Sequence, residues 1–165
     1  MTDESGGAIE RAFERHGAYT RDGEGFVIST TACEGRVTAV EGAAPVYTVT
    51  VRVPHIQAVT TDAVGEAVAE GWFDTLHRRL AEAPKATRAD VDLATFEVER
   101  DGEDVFVTYG FEWADPDRAA GIAKTFVEYV EGTYVEGVVP GYEYESPVAD
   151  LLERASQGEG GGTPL

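Results

Sequence analysis

Apolar and polar positions alternate most strictly near the middle of the chain. Val105, Val107, Tyr109, Phe111 and Trp113 occupy every second place, so all five side chains fall on one face of a strand. Upstream, Phe96 and Val98 alternate with Glu97 and Glu99, and Arg100-Asp101-Gly102-Glu103 separates the two runs. Asp-Gly suits a two-residue turn that needs positive φ at both central positions. Centring the turn there predicts Val98 opposite Val105 and Phe96 opposite Val107. Val91 and Leu93 are out of phase with that face, so a bulge near residues 94–95 is expected. The second strand runs into Asp115-Pro116-Asp117, an N-cap, a first-turn proline and a first-turn acid. The helix it opens carries Ala119, Ile122, Phe126, Tyr129 and Val130 on one face and should end at Gly132 or Gly137.

The remaining chain is patterned in the same two periods. Ile9, Ala12, Phe13 and His16 have helical spacing over residues 8–16, and Gly17 stands where a C-cap glycine belongs. Residues 26–33, 36–40 and 46–53 read as strands. Asp22-Gly23-Glu24-Gly25, Glu34-Gly35 and Gly42-Ala43-Ala44-Pro45 read as the turns around them. In the third strand Tyr47, Val49, Val51 and Val53 face one way, while Thr48, Thr50 and Arg52 face the other. Pro54 ends this strand or places it at a sheet edge. Thr60-Thr61-Asp62 offers N-caps for a long helix ending near Ala83, with Val64, Val68, Trp72, Leu76 and Leu80 as its stripe. Ser146-Pro147 opens a last short helix with Val148, Leu151, Leu152 and Ala155.

Residues 1–7 read as a disordered lead, 8–156 as a single domain and 157–165 as a disordered glycine-rich tail. The order is helix, three strands, helix, two strands, helix, with a short C-terminal helix. It predicts an α+β domain whose five-stranded, mainly antiparallel sheet carries helices on one face.

Charge changes this picture. The 165 residues hold 31 acids and 13 bases, a formal charge of −18, and of the bases only Lys85 and Lys124 are lysines. Such a domain repels itself where the Debye length is about 8–10 Å, and much less where molar salt shortens it to about 3 Å. Dispersed acids with little lysine point to a halophile's cytosolic protein. The same charge opposes binding to nucleic acid and to anionic membranes. Cys33 is alone, which excludes an intrachain disulfide and permits a reducing compartment. No apolar run approaches the length of a membrane span, and the polar start Met1-Thr2-Asp3-Glu4-Ser5 has no apolar signal core, so a cytoplasmic location is expected.

Three stretches resemble an uncharacterised protein family of halophilic archaea. They are Glu70-Gly71-Trp72-Phe73, Tyr109-Gly110-Phe111-Glu112-Trp113, and Gly132-Thr133-Tyr134-Val135-Glu136-Gly137 before Pro140-Gly141-Tyr142. That resemblance implies no activity. The order of elements over residues 8–135 is similar to the type III secretion chaperone-like fold, which implies binding of extended partner segments and dimerisation.

Candidate chemistry is sparse. Cys33, His55 and Asp62 are the residue types of a thiol nucleophile, base and orienter, but nothing in their spacing demands proximity. A buried small side chain, a strand-end histidine and a helix cap account for them better. His16, His55 and His77 lie at no metal-ligand spacing, and Asp101-Gly102-Glu103-Asp104 is a turn rather than a calcium loop. Gly158-Glu159-Gly160-Gly161-Gly162 follows no strand and opens no helix, so it lacks the context of a phosphate loop. No catalytic, metal or cofactor residue is therefore assigned, and no cofactor is expected.

Tyr134, Val138, Tyr142 and Tyr144 follow the third helix as an aromatic run. They either close the core or form an interaction surface for a protein segment or a second copy of the chain. The leading expectation is a non-enzymatic, chaperone-like interaction module, a homodimer. The alternative is a small-molecule binder or small hydrolase with a pocket between the sheet and the helices. The charge argument yields a direct expectation: dialysis into low salt costs the chain secondary structure, read as loss of far-ultraviolet circular dichroism. An unchanged spectrum would remove it.

Overall fold

Alternating β-branched and aromatic residues build the centre of the sheet, seen here in a computed structural model that describes residues 4–60 and 63–137. Strand β4 spans Val46–Pro54 and β6 spans Asp104–Glu112, and the two pair antiparallel in register from Val46↔Glu112 to Pro54↔Asp104. Tyr47, Val49, Val51 and Val53 of β4 and Val105, Val107, Tyr109 and Phe111 of β6 are all fully buried on one face. Around this pair lie β1 (Tyr19–Asp22), β2 (Gly25–Ile28), β3 (Glu34–Val40) and β5 (Thr95–Asp101). The order across the sheet is β1-β2-β3-β4-β6-β5, and every neighbouring pair is antiparallel.

Three helices cover the buried face: α1 (Glu4–Arg15), α3 (Glu66–Leu80) and α4 (Pro116–Glu136). A single turn, α2 (Ile56–Val59), follows β4, and a 3₁₀ turn (Ala83–Ala86) follows α3. Helix α4 lies over the centre. Ala119, Ala120 and Ala123 keep its backbone close to its neighbours, while Phe126 packs 5.0 Å from the Tyr109 ring and 5.5 Å from Phe111. Phe13 of α1 packs on Tyr19, Phe26 and Tyr47 at 4.8, 5.0 and 6.0 Å. As expected, Asp115 caps α4, its carboxylate accepting from the Asp117 N–H at 3.1 Å, and Gly137 ends it.

Tyrosine hydroxyls fasten the helices in place. Tyr109 and Tyr129 donate to the Leu80 and Arg79 carbonyls in the last turn of α3, where carbonyls lack a full set of helical N–H donors. Tyr134 donates to the Pro54 carbonyl at 2.8 Å and Tyr19 to the Ala120 carbonyl at 2.6 Å. Burial pushes the Tyr19 and Tyr109 hydroxyls well above the usual tyrosine range, so both remain protonated donors.

Several expectations are corrected. The sheet has six strands, not five, because residues 19–22 form β1. One buried residue in that strand leaves no apolar alternation to read. The two outer hairpins close on Gly23-Glu24 and Gly102-Glu103, with positive φ at the glycines alone, 61° and 64°. This is the II′ pattern, not the one with positive φ at both positions. The second turn is therefore centred one residue later than Asp101-Gly102, which sets Val98 opposite Val107 and Phe96 opposite Tyr109. A shift of two in the pairing keeps the same faces together.

Val91 and Leu93 precede β5 rather than entering it through a bulge. Residues 29–33 leave the sheet after Ile28. The long helix begins at Glu66, capped by Gly65 without a side-chain bond, and Val68 lies outside its buried stripe of Ala69, Trp72, Leu76 and Leu80. Thr61 and Asp62, the helix expected over residues 146–155 and the tail at 157–165 lie outside the described residues.

Glu34-Gly35 is not a turn but the start of β3. A Cβ at Gly35 would sit 2.8 Å from both γ-methyls of Val127 and 3.0 Å from Ile28 Cγ2, so glycine is needed for α4 to approach. Gly35→Ala should destabilise the fold by about 1–3 kcal/mol in urea titration. The penalty should shrink in a Val127→Ala background, because the two positions share one contact.

Candidate functional site

The end of β4 places one histidine in an unusual setting. Pro54 closes the strand, and the next residue, His55, is held by its own N–H, which donates to the Glu103 carbonyl at 2.8 Å. Its Nδ1 accepts from the Gln57 N–H at 3.1 Å and so caps α2. The ring stands edge-on to Trp72 at 5.0 Å and stacks near Phe73 at 6.4 Å, and the residue is 2% exposed. Burial, and secondarily the Arg100 guanidinium, push its pKa down from 6.5 to about 4. The imidazole is therefore neutral at physiological pH. With Nδ1 accepting, the hydrogen-bond network assigns the proton to Nε2. No described residue accepts from that donor.

His55 lines a surface cleft of about 400 Å³ together with Gln57, Glu66, Ala69, Glu70, Phe73, Asp74 and Arg100. Glu66, Glu70 and Asp74 recur every four residues on α3 and so share one side of the helix. Arg100 reaches in from β5. Its Nε donates to the Gly102 carbonyl at 3.0 Å and its Nη1 to the Gln57 side-chain oxygen at 3.3 Å. Gln57 is in turn fixed by donating to the Val64 carbonyl at 3.0 Å. Arg100 makes no ion pair with any described residue. The cleft thus holds a fixed guanidinium, a neutral imidazole N–H, a row of carboxylates and one phenyl ring.

A second, smaller cleft of about 240 Å³ lies between α3 and α4, lined by Gly71, Trp72, Thr75, Leu76, Arg79, Thr133 and Gly137. Trp72 is 5% exposed, and its Nε1 has no hydrogen-bond partner among the described residues.

The structure separates most of the residues singled out from sequence. Cys33 is buried at the head of β3 and is not among the residues lining either cleft. Asp62 lies outside the described residues. His16 packs edge-on to Tyr19, and His77, exposed on α3, packs edge-on to Phe96. Among the described residues no three His, Cys, Asp or Glu come together as metal ligands. No helix of the described residues is long and apolar enough to cross a membrane.

Tyr134, considered for an interaction surface, is fully buried, because its hydroxyl reaches Pro54 and its ring meets Trp72 edge-on at 6.0 Å. Val138, Tyr142 and Tyr144 lie outside the described residues, as do the glycines at 158–162. Of the cleft, sequence reasoning weighed His55 alone. The four-residue spacing of Glu66, Glu70 and Asp74 was visible, but Gln57 and Arg100 carry no local signal and meet through the fold.

Fold and site together define an α+β domain with a one-sided sheet and a polar cleft at the mouth of α2. The chain belongs to a family of unknown function, DUF5813, whose model matches residues 14–154, a span that includes all six strands and both clefts. No curated protein and no solved structure matches it.

The His55 environment sets a sign for pH dependence. Between pH 6.5 and about 4 the unfolded chain takes up a proton at this residue and the folded chain does not, so its contribution to stability is lost as pH falls through that window. His55→Asn keeps a capping acceptor and removes the titration. The difference in melting temperature between parent and variant should therefore shift against the parent from pH 7 to pH 4. A constant difference would show that burial does not perturb the imidazole.

Proposed function

We propose that this domain binds a small polar molecule in the His55 cleft and does not transform it. One observation carries the reading. A histidine 2% exposed keeps an Nε2 donor without a described acceptor on the wall of a cleft of about 400 Å³. The ring thus offers a donor to whatever enters the cleft, and small-ligand pockets run from about 300 to 1,000 Å³. Catalysis is disfavoured by the same residue, since an imidazole with a pKa of about 4 is a weak base at neutral pH. Among the described residues, no cysteine, serine or threonine lines the cleft to act as a nucleophile.

A second reading, the homodimeric or chaperone-like interaction module, is supported by the far face of the sheet. None of the three long helices covers it. It carries Val27, Val46, Phe106 and the 69%-exposed Val40 among Thr38, Thr48, Thr50 and Thr108. The element order shared with the type III secretion chaperone-like fold supports the same reading. On either reading the charge of −18 fits the salt-rich cytosol of a halophile.

The test follows the His55 ring by nuclear magnetic resonance while a panel of small polar metabolites is titrated in molar potassium chloride. Saturable shifts of this ring, lost in Arg100→Ala, are expected. An unmoved ring across the panel, with light scattering that gives a dimer broken by Val40→Asp and Phe106→Asp together, would favour the second reading instead.

A further inference from the structure

We infer that the cleft is built for a zwitterion of the amino-acid type. Its carboxylate would meet Arg100 and the His55 Nε2–H, and its ammonium the α3 row of Glu66, Glu70 and Asp74. This rests on the reading that the cleft binds a small ligand, and it names the class.

The first ground is the way Arg100 is held. A guanidinium has five N–H donors, and the described structure uses one at Nε and one at Nη1, both on neutral acceptors. In a chain with 31 acids, Arg100 is fixed without being neutralised by any described carboxylate. Its remaining donors suit a bidentate carboxylate. The second ground is His55. Its Nε2 donor has no described acceptor, and His55 and Arg100 line the same cleft. Both offer hydrogen-bond donors, and neither can accept one from a ligand at neutral pH, since Nδ1 is occupied.

The third ground is the α3 wall of the cleft, which carries Glu66, Glu70 and Asp74. Three carboxylates at four-residue spacing would repel a simple anion, and Arg100 would repel a simple cation. A ligand bearing both signs satisfies both walls at once. Phe73 also lines the cleft and offers apolar contact to the body of the ligand.

The experiment uses the full chain in molar potassium chloride, with calorimetry and the His55 ring resonances as readouts. The probes are the free L-amino acids, then the N-acetyl and the amide derivative of the tightest binder. The expected result is saturable binding of a free amino acid, weakened at least about tenfold by masking either end. Arg100→Gln should weaken the free acid about tenfold and leave the amide derivative unchanged. Glu70→Gln should weaken the free acid and spare the N-acetyl derivative. Both positions are exposed, and unchanged circular dichroism certifies the fold of each variant.

If a derivative binds as well as the free acid, or Arg100→Gln has no effect, the zwitterion assignment is overturned. If amino acids leave His55 unmoved while other polar molecules shift it, this class is wrong and the cleft reading stands. If nothing shifts it, both fall and His55 serves only to cap α2.

Discussion

Everything in this domain hangs on the contact between α4 and the centre of the sheet. Eight fully buried side chains of β4 and β6 present one continuous apolar face, and α4 packs buried alanines, Phe126 and Val127 against its neighbours. Gly35 removes a side chain at the one strand position where Val127 presses hardest. With the helix seated there, α1 and α3 can only occupy its flanks, over the β1–β3 side and the β5–β6 side. Burying this face supplies the main stabilisation, since apolar surface removed from water contributes about 25 cal/mol per Å².

The same packing creates the cleft. β4 extends to Pro54, whose carbonyl is held by Tyr134 of α4, and this fixes where the strand stops. His55 then emerges beneath Trp72 and Phe73 of α3, whose far end is pinned by Tyr109 and Tyr129. The cleft is therefore a gap between rigid elements. The turn α2 is short because it only bridges that gap.

Charge acts on a different level from packing. The eight ion pairs among the described residues lie at the surface, where each contributes about 0–1 kcal/mol. They engage eight of the chain's 31 acids. The fold is set by the apolar face, and the charge tunes the salt range in which that fold is preferred to an expanded chain.

Local periodicity by itself determined the strongest elements of this protein: the alternation in residues 46–53 and 105–111, the α4 start at Asp115, and the one-sided α+β layout. These signals are written in neighbours two, three or four positions apart, and burial on one face enforces them. Only the tertiary structure decided the rest. Residues 19–22 become a strand because β2 offers an edge, Gly35 serves a helix rather than a turn, and Tyr134 turns inward because a carbonyl waits at Pro54. The residues His55, Gln57, Glu70 and Arg100 come from the end of β4, α2, α3 and β5, so no window of sequence contains the cleft. Their proximity is a consequence of which strands pair and where each one ends, and those choices are made by the whole core at once.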